Sequence, residues 1–107
     1  MIDCLVIGGG PAGLTAAIYL QRFHRTVCIV DNNQSRARNI KLSRNYPGFP
    51  AGIAGDELLL RLQQQLENFD GAITHGTVTN LQQTAEGHFR ADIDASTMVA
   101  RTLLLAT

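Results

Sequence analysis

Residues 2–31 read IDCLVIGGGPAGLTAAIYLQRFHRTVCIVD, and the order of parts within them decides the fold. An apolar run, Cys4-Leu5-Val6-Ile7, leads straight into Gly8, Gly10 and Gly13 in G-x-G-x-x-G spacing. An Ala/Leu-rich stretch follows, and a second apolar run, Thr26-Val27-Cys28-Ile29-Val30, closes on the acid Asp31. Strand, glycine turn, helix, strand and acid in this order predict a dinucleotide-binding βαβ unit.

Each residue type has a physical reason to be there. Gly8 takes the chain through a tight turn that a Cβ would strain. Gly10 lets the backbone approach a pyrophosphate, and Gly13 lets the helix pack closely against the strand. Pro11 in the first helical turn costs little, because its missing N–H has no intrahelical partner there. The remaining free N–H groups and the helix dipole point at an anion above the turn. Asp31 stands at the tip of the second strand, where a carboxylate accepts hydrogen bonds from ribose hydroxyls and repels a 2′-phosphate, which disfavours NADP in this site.

Working outward, the 107 residues suit one domain with a modest core. Nine basic and nine acidic residues cancel, which removes the electrostatic argument for nucleic acid or an anionic membrane as partner. No stretch approaches the roughly 20 apolar residues of a membrane span. Met1 opens no signal peptide, since Asp3 stands where a basic region belongs, so a cytoplasmic protein is the default expectation. Cys4 and Cys28 are read as small buried strand residues, with a disulfide between neighbouring strands as the alternative.

From Pro11 to about Phe23 the apolar residues Leu14, Ala17, Ile18 and Leu20 recur at helical spacing, and His24 is expected to serve the helix end. Residues 32–54 show no clear period, yet Tyr46, Pro47, Phe49 and Pro50 argue for an ordered, packed loop. A second helix is expected from Gly55-Asp56 to about Asp70-Gly71, burying Leu58, Leu59, Leu62, Leu66 and Phe69, with Asp56 as cap or first-turn acid and Gly71 at a left-handed exit. Ile73 to Leu81 reads as one strand, followed by a turn, a strand over His88 to Ile93, another turn, and a strand from Thr97 to Ala106. The run Leu103-Leu104-Leu105-Ala106 suits a strand buried on both faces of a parallel sheet. His75 and His88 are expected to be exposed or structurally satisfied.

These residues resemble the amino-terminal FAD-binding portion of the thioredoxin-reductase-like branch of the pyridine nucleotide-disulfide oxidoreductases. Beyond the glycines, Ala17, Leu20, Val27 and Asp31 fall at the spacings of those flavoproteins. Asn45-Tyr46-Pro47-Gly48-Phe49-Pro50 with Gly52-Ile53 and Gly55 resembles the loop leading into the family's second helix. Thr77-Val78-Thr79 lies near where the family's backbone meets adenine, and Leu105-Ala106-Thr107 looks like the start of its A-T-G signature. The sequence departs from the family at His24, where glycine is usual, and at Ser35-Arg36-Ala37-Arg38, where thioredoxin reductases proper carry a G-G-Q-like segment.

The resemblance implies a Rossmann-like α/β fold, a parallel sheet with crossover helices and a small antiparallel meander. It implies FAD as cofactor, with Gly8, Gly10, Pro11, Ala12 and Gly13 at the pyrophosphate, Asp31 at the ribose, Val78 at adenine and Asn45 near the flavin ring. Ser35 and Arg36 are candidates for the pyrophosphate side, and Ala106 and Thr107 complete the set of cofactor contacts. Residues 1–107 are then expected to be the first portion of an FAD-binding domain, with NAD(P)H held in a domain elsewhere in a homodimeric parent. The implied activity takes electrons from NAD(P)H through FAD to a disulfide or a thioredoxin-like partner. A dithiol oxidase, a ferredoxin-NADP reductase-like enzyme and a fragment that only binds nucleotide are the alternatives. No catalytic acid, base, thiol or metal ligand is identified in this stretch.

Overall fold

The computed structural model describes all 107 residues, Met1–Thr107. Strand β1 (Ile2–Ile7), helix α1 (Pro11–Arg22) and strand β2 (Val27–Asp31) form the expected βαβ unit. β1 and β2 pair in parallel, from Cys4 opposite Val27 to Ile7 opposite Val30. Proline begins α1, and Gly13, Leu14, Ala17 and Ile18 form its buried face. Past its end His24 adopts φ 59°, its N–H bonding Gln21 O while that of Arg25 bonds Leu20 O. His24 thus serves the helix end through its backbone, in the left-handed conformation that favours glycine.

Residues 32–54 are ordered, as the prolines and rings imply. A short 3-10 turn spans Arg36–Asn39, capped by Ser35, whose Oγ accepts the Ala37 N–H at 3.3 Å. Ser43 and Ile53 form an isolated bridge with N–H···O distances of 2.7 and 2.9 Å. The rings of Tyr46 and Phe49 lie 6.1 Å apart and pack against the core, with the Arg61 guanidinium 5.5 Å from the Phe49 ring centre.

Helix α2 (Gly55–Glu67) buries Leu58, Leu59, Leu62 and Leu66. Asp56 is a first-turn acid and not the cap, which is Ala54. Phe69 falls beyond the helix and is half-exposed. The exit also differs from expectation: Asp70 takes the left-handed conformation, φ 59°, and Gly71 does not. Gly71 is needed for another reason, since a Cβ there would run into the Leu66 side chain.

The remaining strands are β3 (Ala72–His75), β4 (Val78–Gln83), β5 (Phe89–Ile93) and β6 (Ser96–Leu105). The sheet order is β3-β2-β1-β6-β5-β4, parallel from β3 to β6 and antiparallel through the β4-β5-β6 meander. The single strand expected over Ile73 to Leu81 is therefore two strands, on opposite edges of the sheet. Gly76 and Thr77 break it: Gly76 N–H bonds Asp31 O at 3.0 Å, and Thr77 O accepts the Asp94 N–H at 3.2 Å. Side-chain alternation reports that a strand is half-buried, and carries no mark of a change of pairing partner.

Two apolar layers flank the parallel strands. On the helix side Val6 and Ile29 pack with Leu14, Ala17, Leu58, Leu62 and Leu66. On the other, Leu5, Cys28 and Val30 meet Ala91, Ile93 and Ala100 of the meander. Cys4 belongs to the first layer and Cys28 to the second, and both are free thiols, so the disulfide alternative is excluded. The expected double burial of the β6 apolar run is also corrected: Leu104 is 36% and Leu105 63% exposed. The reason is coverage, for α1 packs on β1 and β2 while α2 packs on α1 and the 3-10 turn, leaving this end of β6 bare.

Candidate functional site

β2 pairs with one side of β1 and β6 with the other, so the sheet's order reverses at β1. Open α/β sheets bind ligands at such a point, beyond the carboxyl ends of the strands. There a groove of 720 Å³ runs from the β1–α1 turn past the end of β2 to Gly76, Thr77 and Val78.

The turn shows three different demands for glycine. Gly8 has φ +117°, and a Cβ on it would strike Ala106 O. A Cβ on Gly9 would strike the Asp31 carboxyl group, and one on Gly13 would strike Gly8 O. Gly10 differs, because the nearest atom to its Cβ position is Ser35 Oγ at 3.0 Å, the far end of a small side chain. Packing against backbone atoms or a short buried side chain thus requires glycine at 8, 9 and 13, whereas at Gly10 a Cβ would meet only the tip of Ser35, which would have to give by a few tenths of an ångström.

Beside Gly10 stands the start of α1. Leu14 N–H is the first in the helix with a backbone acceptor, Gly10 O at 3.0 Å, so the N–H groups of Ala12 and Gly13 precede the hydrogen-bond ladder. Unpaired N–H groups and the positive end of the helix dipole make this an anion-binding geometry. Ser35 and Arg36 line the same wall.

Asp31 is 5% exposed and the one buried charged residue. Its Oδ1 accepts the Gly9 N–H at 3.2 Å, which fixes the carboxylate against the glycine turn, and the residue lines the groove. Ala106, held by its N–H on Ile7 O at 2.8 Å, and Thr107 line the near wall beside Gly8.

Of the residues expected from sequence, the groove brings together Gly8, Gly10, Pro11, Ala12, Asp31, Ser35, Arg36, Val78, Ala106 and Thr107. It does not include Gly13, buried beneath the turn, nor Asn45, an exposed residue whose Oδ1 accepts the Ser43 hydroxyl at 3.2 Å. Thr77, expected beside Val78 near the adenine, lines the groove too, while sequence reasoning missed Gly9, Asn32, Gln34, Ile40 and Gly76. Gly9 carried a signal, lying inside the glycine cluster; Gly76 became part of the groove only through the strand break. No group of three or more His, Cys, Asp or Glu is placed to hold a metal. The arrangement can bind a phosphate-bearing nucleotide and orient its ribose.

A parallel βαβ sheet with a glycine turn at its switch point and an acid at the end of the second strand defines a dinucleotide-binding α/β protein. Comparison with known proteins takes this further. The chain belongs to the pyridine nucleotide-disulphide oxidoreductase family, which it matches across residues 2–107. Among its relatives, a thioredoxin reductase of Aquifex aeolicus is 30% identical over 107 residues, covering 98% of this chain and 33% of the relative. A ferredoxin–NADP reductase of Enterococcus faecalis is 33% identical, covering 97% of this chain and 33% of its own. The crystal structure of a thioredoxin reductase from Streptococcus pyogenes superposes with a TM-score of 0.93 at 31% identity, over 100% of this chain and 35% of that one. The chain thus spans about a third of the length of the relatives it matches. No helix is long and apolar enough to cross a membrane.

Proposed function

We propose that the groove binds FAD, and that residues 1–107 are the first portion of the FAD-binding domain of a thioredoxin-reductase-like oxidoreductase. In the full activity, electrons pass from NAD(P)H through FAD to a disulfide or similar acceptor. The observation that carries this reading is Gly10. No backbone atom of the protein stands in the way of a Cβ there, only the Ser35 hydroxyl at 3.0 Å, whereas the close approach of a pyrophosphate requires the Cβ to be absent.

On this reading the N–H groups at the start of α1 and the Arg36 guanidinium hold the pyrophosphate, with Ser35 Oγ beside them. Asp31, fixed by Gly9, accepts from the ribose hydroxyls, and Thr77 and Val78 meet the adenine. The bound flavin supplies the redox centre, while the protein positions and tunes it. Asn45 lies outside the groove; its proposed place near the flavin ring would follow the loop that Tyr46 and Phe49 pin to the core.

A flavin titration of the 107-residue chain tests the site. Gly10→Val is expected to weaken FAD binding at least tenfold while leaving the thermal melt within a few degrees of the parent. Equal binding by the two proteins would overturn the assignment. The Enterococcus relative favours a second reading, in which the acceptor is a ferredoxin-type protein. A C-x-x-C elsewhere in the protein would decide for disulfide chemistry, since Cys4 and Cys28 are buried in separate layers and do no such work.

A further inference from the structure

Residues 36–44, RARNIKLSR, hold four of the nine cationic side chains of a chain with no net charge, and none of its acids. Arg36, Arg38, Lys41 and Arg44 are all exposed. None of the four joins an ion pair: the bridges in the structure are Arg61–Glu57, Arg90–Asp92 and Arg101–Asp3. Arg38 is held by a neutral group, donating to Asn33 Oδ1 at 2.6 Å. Between these cations Ile40 and Leu42 stand 45% and 44% exposed. Arg38, Ile40 and Lys41 also line one shallow depression, together with Asn39, Ala54 and Asp56. The balance of charge over the whole sequence therefore hides a local cationic ridge with apolar side chains along it.

We infer that this ridge is a docking surface for an acidic protein, one with carboxylates arranged around a small apolar patch. Charge complementarity of this kind steers encounter and sets register, and the two aliphatic side chains give the contact a dry centre. The apolar side chains and the short length of the ridge select a folded protein over other polyanions. Ile40 and Leu42 stand exposed between the cations, where a partner with a matching apolar patch gains contact that a uniformly charged polyanion does not. A nucleic acid presents a long, evenly charged track and is held by many phosphate contacts, with stacked bases where it is single-stranded. With Arg36 turned to the groove, Arg38, Lys41 and Arg44 remain, on a segment whose aromatic neighbours Tyr46 and Phe49 are packed inward, and they offer neither the length nor the stacking. Ile40 lines the groove as well as the depression, so a partner on the ridge sits at the groove's rim.

The test uses the 107-residue chain and poly-L-glutamate as a carboxylate probe, read by titration at rising salt. Binding is expected at about 50 mM salt and to weaken about tenfold by about 300 mM, as exposed charge pairs are screened. The triple variant Arg38→Glu, Lys41→Glu, Arg44→Glu is expected to lose at least tenfold in affinity. Its FAD titration should match that of the parent, because none of the three lines the FAD groove; this separates failure of the docking idea from failure of the cofactor site. A control triple reversal at Arg22, Arg25 and Arg90 carries the same change in net charge and is expected to bind poly-L-glutamate nearly as the parent does. Absence of binding by the parent, or equal loss in the control, would overturn the inference. So would tighter binding to phosphatidylglycerol vesicles or a short DNA duplex than to poly-L-glutamate, lost in the ridge variant.

Discussion

The glycine turn shows how one residue type answers separate demands within six positions. Gly13→Ala places a methyl group against Gly8 O, a contact between two backbones that cannot yield. Overpacking of this kind costs about 1–3 kcal/mol, and urea unfolding of the variant should show at least that loss. Gly10→Ala makes no such clash, so its unfolding midpoint should stay near that of the parent while FAD affinity falls. At the far end of α1, His24 holds φ 59°, a conformation that costs an L-residue roughly 1–2 kcal/mol. His24→Gly is accordingly expected to raise stability by about 1 kcal/mol, and no gain in the unfolding midpoint would mean that the imidazole makes a compensating contact.

A carboxylate provides the pH-dependent counterpart. Asp3 is held below its ordinary value of 3.8, chiefly by the Thr26 backbone N–H at 2.9 Å, then by the Thr26 hydroxyl, with Arg101 and Arg25 adding to it. A depressed folded-state pKa means that the stabilisation is present in full above the unfolded value and disappears as pH falls through the folded one. Asp3→Asn should therefore melt below the parent at neutral pH, and the gap should close in acid below 3.8. A gap that persists unchanged at such pH would assign the effect to the lost acceptor geometry and not to charge.

Elements were legible in proportion to how far their physics is local. The periodic leucines of α2 foretold its buried face, and the glycine fingerprint placed most of the groove's near wall. Leu66, 1% exposed, is the keystone of that face, and Leu66→Ala should cost about 2–5 kcal/mol in urea unfolding. What escaped the sequence depends on distant partners. Gly76 and Thr77 end β3 because Asp31, at the end of β2, and Asp94, in the turn between β5 and β6, take their backbone groups. Gly71 looks like a helix-exit glycine, yet Asp70 makes the left-handed turn and Gly71 gives room to Leu66. Asn45 belongs to a loop whose resemblance to flavoproteins is strong, but whose path leaves it outside the groove. A loop motif fixes local conformation and not where the loop lies against a site.

For the molecule as a whole, β6 is the informative strand. It lies between β1 and β5, with partners on both edges, yet Leu104 and Leu105 at its carboxyl end face solvent. The groove beyond that end is about half open to solvent, where tight small-molecule sites bury roughly 70% or more of the ligand. The isolated chain is therefore expected to bind FAD with a dissociation constant above about 1 μM, equivalent to roughly −8 kcal/mol, and a submicromolar value would show the groove to be a sufficient site on its own.

The same bare strand end sets a stability test. An exposed apolar side chain contributes little to folding, so Leu105→Ser should shift unfolding by less than about 0.5 kcal/mol. Burial of a leucine against a second copy would instead add roughly 1.5–3 kcal/mol and make stability depend on protein concentration. Urea unfolding of parent and variant at two concentrations separates these cases. A small, concentration-independent difference fits Leu105 exposed in solution. A large one that grows with concentration would place a second copy over the end of β6, at the wall formed by Ala106 and Thr107, and would require the groove to be redrawn as shared between two chains.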